Sequence, residues 1–196
     1  MGTIINNLQG TPEWHKYKES MFGASEAAAM LGISKKMTRE ELLFQKFTGL
    51  KKEYSSFVMN LFEKGHEAEA KARAIIEDQI GDELYPAVYA LGIMIASVDG
   101  ITANGEIAFE HKLFNMRLHD SISKGILPPE HVPQCQQTML VTGAKSLMFV
   151  CSNGDRESLA QLMVYPDHDY FTKIDQGWAD FKRDLDNYGS RNVISQ

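Results

Sequence analysis

Asp99, Glu110 and Lys112 are the residues of this chain whose types and spacing best suit phosphodiester chemistry. They lie in residues 93–112, IMIASVDGITANGEIAFEHK. An apolar run, Ile93, Met94, Ile95 and Ala96, leads into Ser97-Val98-Asp99-Gly100, and a second, Ile107, Ala108 and Phe109, leads into Glu110-His111-Lys112. Between them, Asn104-Gly105 is a strong hairpin-turn signal. Residues two apart in a strand share a face. Glu110 and Lys112 should therefore point one way, and Ile107, Phe109 and His111 the other. Pairing of the two runs across the turn would put Asp99 at the end of the neighbouring strand, beside Glu110. Two carboxylates and one ammonium then converge at one sheet end.

Paired carboxylates suit a hard dication such as Mg²⁺, with Mn²⁺ as a substitute. Such an ion lowers the pKa of a bound water and neutralises charge on a phosphodiester. A lysine alongside would position or deprotonate that water, or stabilise the pentavalent transition state. Standing alone, an E-x-K triplet is ordinarily a surface ion pair on a solvated strand. Here each acid interrupts an apolar strand, and a charge placed so is costly unless something compensates it.

Composition sets the frame. A length of 196 residues fits one domain (1–196), with a helical N-terminal segment at about 11–50 and a core at about 55–188. Hydrophobic residues make up 43%, enough for a real core, yet no run approaches the ~20 apolar residues of a membrane span. The opening MGTIINNLQG lacks the basic-then-apolar pattern of a secretory signal. Cys135 and Cys151 offer neither a disulfide framework nor zinc spacing, which fits a reducing cytoplasm. The net charge of −6 argues against a protein that coats DNA nonspecifically, so any DNA surface must be a local basic patch. Lys35, Lys36, Arg39, Lys51 and Lys52 are the candidates, and ordinary solvated loops would hold the same residues.

The elements that must position the acids follow from caps and periodicity. Thr11-Pro12-Glu13 starts a helix, TPEWHKYKES, with Lys18 near its end. Gly23-Ala24-Ser25-Glu26 opens a second, ending at Gly32. Thr38 and Glu41 form a capping box for a third, ending at Gly49. Ser55 and Ser56 cap a long helix over about 57–79. Its apolar positions Val58, Leu61, Phe62, Ala68, Ala72 and Ile75 recur at helical spacing. Gly65 within it points to close packing, and Glu67 and Glu69 follow. A strand is expected over 84–89 and a loose stretch over 113–131, closed by Pro128-Pro129. A helix carrying Gln134, Gln136 and Gln137 ends at Gly143. Strands over 146–151 and 159–165 flank the Asn153-Gly154 turn, and a helix over about 169–188 packs Phe171, Ile174, Trp178 and Phe181 inward. The order predicts an α/β fold, a mixed central sheet flanked by helices.

Asp99 with Glu110-x-Lys112 resembles the PD-(D/E)xK nuclease motif, with Ser97-Val98-Asp99 where the motif has Pro-Asp. With W-H-K-Y-K…G-A-S-E, Gly65-x-x-x-Glu69 and the glutamine helix, the chain is similar to the lambda exonuclease (YqaJ-like) phage recombination nucleases over roughly residues 12–165. The resemblance implies a restriction-endonuclease-like core and a processive 5′→3′ exonuclease on double-stranded DNA ends, generating 3′ single-stranded overhangs. It implies a ring-shaped homotrimer and a single-strand annealing protein as partner in phage recombination, within the host cytoplasm and away from membranes. It assigns Lys18 and Ser25 to the 5′-phosphate, and Glu69 to the active site with Glu67 as its alternative. A glutamine should contact the scissile phosphate region or orient metal-bound water, Gln136 in first place and Gln134 second. Asp99 and Glu110 would hold Mg²⁺, with the main-chain carbonyl of His111 as third ligand and two ions per site.

Two other functions would use the same residues. A structure-specific or restriction-type endonuclease would also cut closed circular DNA. A non-catalytic DNA-end-binding protein would be indifferent to EDTA and would not need an intact acid-acid-lysine set.

The assignment of the 5′-phosphate contacts generates the first prediction. Lys18→Ala and Ser25→Ala should each impair cleavage of 5′-phosphorylated duplex far more than of 5′-hydroxyl duplex, since each removes a phosphate contact. Equal losses on the two substrates, measured side by side, would place the phosphate pocket elsewhere.

Overall fold

A computed structural model describes residues 2–5, 20–50 and 55–189. The helix expected from Thr11, with Lys18, and the pair Lys51-Lys52 lie outside the described residues. The elements in chain order are β1 (Thr3–Ile4), β2 (Phe22–Gly23), α1 (Ala27–Met30, entered by a 3₁₀ turn at Ala24–Glu26), α2 (Arg39–Thr48) and α3 (Ser56–Ile80). Strands β3 (Ala87–Leu91), β4 (Met94–Val98), β5 (Gly100–Ile101) and β6 (Ile107–Leu113) follow. The chain then forms α4 (Met116–Ser123), α5 (Val132–Thr142), β7 (Ser146–Ser152), β8 (Ala160–Val164) and α6 (His168–Asp186).

The strands form two mixed sheets flanked by helices, in the orders β1-β3-β4-β2 and β5-β6-β7-β8. β4 is antiparallel to β3 and parallel to β2. β6 is antiparallel to β5 and parallel to β7, with Glu110 opposite Phe149.

This pairing corrects the expected hairpin. β4 does not pair with β6. It folds back on β3 through a tight reversal at Gly92, whose φ of +59° suits glycine. The Asn104-Gly105 turn instead joins β5 to β6, with Gly100 opposite Phe109 and Ile101 opposite Ala108. The chain passes from one sheet to the other at Asp99 alone. Because Gly100 faces Phe109, the residue before it lies level with Glu110, and the expected neighbourhood of the two acids results from a different route.

Helix α5 packs between the sheets and is buried along most of its length, glutamines and threonines included. Its Gln137 is fully buried and satisfied at both ends of the amide. Trp178 Nε1 donates to its Oε1 (2.7 Å), and its Nε2 donates to the Phe22 carbonyl (2.9 Å). Trp178 stacks on Phe22 at 4.6 Å between ring centres, with Phe181 edge-on to both. This cluster joins α6, α5 and β2.

The capping signals match the helices they announced. Thr38 and Glu41 form the α2 capping box, Ser55 caps α3 by accepting from the Val58 amide (3.4 Å), and Gly49, Gly81 and Gly143 close helices in the left-handed region. Several expectations fail. Only Ala68, Ala72 and Ile76 of α3 are buried, one turn apart. Phe57, Met59, Leu61 and Phe62 are exposed, because the N-terminal half of the helix runs past the sheet. Gly65 has nothing within 4 Å of a hypothetical Cβ, so it is not a close-packing glycine. The stretch after Lys112 is not loose. Asn115 caps α4 through the Leu118 amide (3.1 Å), and Leu118 and Ile122, four apart, turn inward. β3 starts at Ala87 because Leu84 makes only an isolated bridge, to Thr102. Among the described residues no helix is long and apolar enough to cross a membrane.

The Gln137 bridge yields a stability prediction. Gln137→Leu keeps the volume but leaves the Trp178 N–H buried without a partner and takes the side-chain donor from the Phe22 carbonyl, at ~1–3 kcal/mol for each loss. Stability in urea, followed by tryptophan fluorescence, should fall by about 2–5 kcal/mol. An unchanged midpoint would show that those groups find other partners.

Candidate active site

The side chains of β6 alternate as the strand period requires. Phe109 and His111 face α3, with their rings stacked at 6.4 Å, and Phe109 packs with Ala72, Ile76 and Val150. Ala108, Glu110 and Lys112 face the other way. There Lys112 Nζ donates to Glu110 Oε1 (2.7 Å) and to Gln134 Oε1 (3.0 Å), and Gln134 Nε2 donates to the same Glu110 oxygen (2.7 Å). The three side chains close a triangle. Glu110 is only 3% exposed, so its carboxylate relies on these two donors rather than on bulk water.

Asp99 enters from the link between the sheets. Its Oδ2 accepts the main-chain N–H of His111 (2.8 Å), and its carbonyl accepts from Arg73 Nη1 (2.8 Å). β5 ends beside His111, so the Asp99 carboxylate takes the place of the next ladder partner. Glu69, half-buried on α3, brings a third carboxylate to the same region.

The electrostatics record this crowding. Burial, then the charges of Glu110 and Glu69, push the Asp99 pKa well above its ordinary value, against the opposing pull of the His111 amide and Lys112. Burial raises Glu69 too, with Glu110 adding and Arg73 opposing. For Lys112, burial disfavours the ammonium, but Glu110 and Asp99 outweigh it and the pKa is raised. Lys112 is therefore a cation at neutral pH. Burial lowers His111 to about 4, so its ring is neutral there. That ring pairs with Ser152 Oγ (3.0 Å), away from the acids.

The glutamine expected first is not at the site. Gln136 donates to the Tyr165 carbonyl and accepts from the Asp167 amide (both 2.9 Å), tying α5 to the start of α6. Gln134 holds the position beside Glu110 and Lys112. The helix period decides this, since residues two apart on α5 face different ways. Glu69 is the helix acid drawn in, and Glu67 is exposed. Ser25 is exposed on the 3₁₀ turn, with no hydrogen bond linking it to the acids among the described residues. Its neighbour Glu26 is paired with Lys46 (2.8 Å). Arg73 was missed in the sequence, although its place four residues after Glu69 puts both on one helix face.

The donor set consists of hard oxygens around one ammonium, the chemistry that an oxygen-seeking dication requires. Among the described residues no ready-made group of three or more His, Cys, Asp or Glu side chains forms a metal cage. Mg²⁺ is commonly held by one or two carboxylates, with water and substrate phosphate completing its shell, and Asp99 and Glu110 would be the pair to offer it.

The model of the YqaJ-like viral recombinase domain matches residues 13–145, and the chain belongs to that family. In structure it is similar to an alkaline exonuclease from Laribacter hongkongensis, with a TM-score of 0.75, 21% identity, and coverage of 94% of this chain and 98% of the other. The structure of that enzyme in complex with dAMP matches with the same TM-score and coverage at 23% identity. A phage-related exonuclease from Haemophilus somnus 129PT matches at a TM-score of 0.64 and 13% identity, over 87% of this chain and 96% of that one. These likenesses show that the chain shares the mixed α/β fold of those exonucleases. A comparison with curated proteins finds no significant match.

The raised Asp99 pKa has a consequence for stability. A carboxyl whose folded pKa lies above its unfolded value contributes stability below the unfolded value, about 3.9, and loses it as pH rises through the folded value. In EDTA, the wild type should lose stability relative to Asp99→Asn as pH is raised from about 4 toward neutrality. Urea melts of both proteins across that window should diverge. Parallel profiles would mean that Asp99 ionises in the fold without penalty.

Proposed function

We propose that this chain is a Mg²⁺-dependent DNA exonuclease that acts on double-stranded ends, degrading 5′→3′ processively and leaving 3′ single strands for recombination by annealing. The observation that carries the reading is the buried Glu110, Lys112 and Gln134 triangle set against Asp99 and Glu69. Membership of a viral recombinase family and the likeness to alkaline and phage-related exonucleases support the DNA substrate.

Asp99 and Glu110 would hold Mg²⁺, or Mn²⁺ in its place, with the His111 main-chain carbonyl as a further ligand and room for two ions. When bound, the metal supplies charge neutralisation and an acidified water. The protein's own part is electrostatic. Lys112, kept protonated by its acidic neighbours, donates to the developing negative charge on the phosphate or holds the attacking water. It does so as an ammonium and not as a base. Gln134 fixes the direction of that ammonium through its Oε1 and shares Glu110 with it. Glu69 adds negative charge on the α3 side. Lys18 and Ser25 would take the 5′-phosphate. The family relationship supports a homotrimeric ring around the duplex, an annealing protein as partner and action in the host cytoplasm.

Lys112→Ala should lower the rate of hydrolysis by roughly a hundredfold or more while linear duplex still binds. Gln134→Ala should lower kcat, whereas Gln136→Ala should act chiefly on thermal stability. Linear duplex should be digested and covalently closed circles spared, and EDTA should stop the reaction. Cutting of closed circles would turn the reading to an endonuclease. Binding of ends with no hydrolysis in Mg²⁺ would turn it to a non-catalytic end binder.

A further inference from the structure

We infer that Arg73 is a positioning residue which, with Gly100, sets the distance between Glu69 and Asp99. A closed circuit of contacts leads to this assignment. Arg73 projects from α3 one turn beyond Glu69, and its Nη1 donates to the Asp99 carbonyl at 2.8 Å. The Asp99 carboxylate accepts the His111 amide (2.8 Å), and the His111 ring pairs with Ser152 Oγ (3.0 Å). Ser152 Oγ in turn accepts the Gly154 amide (3.1 Å). Gly154, with φ +90°, lies so close to α3 that a Cβ there would meet the Cα and carbonyl of Ala68 at 3.0 Å. The circuit leaves α3 at residue 73 and returns at residue 68. Glu69 sits inside that interval.

Gly100 is the second part of the device. A Cβ at residue 100 would come within 2.9 Å of Leu84 Cβ and 3.4 Å of Arg73 Cδ. Its absence lets the arginine stem pass closely over the link between the sheets. Gly100 takes ordinary backbone angles, so this space, and not a turn, is what glycine supplies. The arginine then does two things from one place. Its guanidinium fixes the main chain of Asp99 and supplies a positive charge to Glu69, four residues back on the same helix face.

The mechanistic side rests on the proposed nuclease function, whereas the geometric side does not. The test therefore has two arms on the whole protein. Amide exchange of metal-free protein, followed by NMR, reads the hydrogen bond from the His111 N–H to Asp99. In Arg73→Met, which keeps the length of the stem, that amide should exchange at least about tenfold faster while the Phe109 amide of the same strand is unchanged. Arg73→Lys, which keeps stem and charge, should fold as the wild type does and fall between the two. In Mg²⁺ with linear duplex, Arg73→Met should lower kcat about tenfold or more with KM for DNA little changed, and Arg73→Lys should recover part of it. Unaltered His111 exchange in folded Arg73→Met overturns the inference, whatever happens to the rate. So does a loss of rate confined to KM. A wild type without nuclease activity would remove the proposed function and leave the exchange arm to decide the geometry.

Discussion

Two carboxylates, Asp99 and Glu110, held beside one ammonium with half-buried Glu69 on the α3 side, are a standing repulsion that the rest of this fold has to contain. Burial, and then the neighbouring acid charges, raise the pKa values of Asp99 and Glu69. Lys112 offsets part of it directly. The His111 amide on Asp99 and the Gln134 amide on Glu110 offset more. What remains is borne by rigid elements that cannot drift apart, a parallel β6–β7 pair and a helix pinned at residues 68 and 73.

Helix α5 is the counterpart of this acid cluster, and its three glutamines divide the work by direction alone. Gln134, in the first turn, faces the acids. Gln136 holds the approach to α6. Gln137 spans the interior between Trp178 and Phe22. Each amide offers a donor and an acceptor, so one residue type links charged, main-chain and aromatic partners. A helix so polar in composition remains buried because these amides are paired, although the buried Thr138 hydroxyl is not.

The strand period made the shared face of Glu110 and Lys112 legible from the sequence, and helix caps made Thr38, Ser55, Gly81 and Gly143 legible as boundaries. Both signals are local, which explains why they transfer to the structure. What failed was non-local. Which partner β4 would choose depended on a tight reversal at Gly92 and on a second strand, β2, seventy residues earlier in the chain. The choice between Gln134 and Gln136 depended on how α5 is rotated, which no motif spacing states. Apolar periodicity in the first half of α3 promised burial, yet Leu61 and Phe62 are each 44% exposed, because periodicity reports a face and not what covers it. Arg73 carried no motif signal and emerged only from the contact it makes with a main-chain carbonyl. The assignment of Lys18 lies outside the described residues.

The passage between the two sheets has a further meaning for how this chain can vary. β4 ends at Val98 and β5 begins at Gly100, so a single residue spans the junction, and that residue is Asp99. A strand side chain changes face with every residue added or removed. Lengthening the link by one would turn the carboxylate away from the His111 amide and slide Gly100 out from under the arginine stem. The polar turn at residues 153–158 is held by Gly154, by its own Asn153–Ser158 and Ser158–Asp155 hydrogen bonds and by the exposed Arg156–Asp78 pair, and none of these sets the face of an acid. Length variation is therefore tolerable at the rim of the second sheet and forbidden at its origin, and the chain's reading frame at residue 99 is itself part of the machinery.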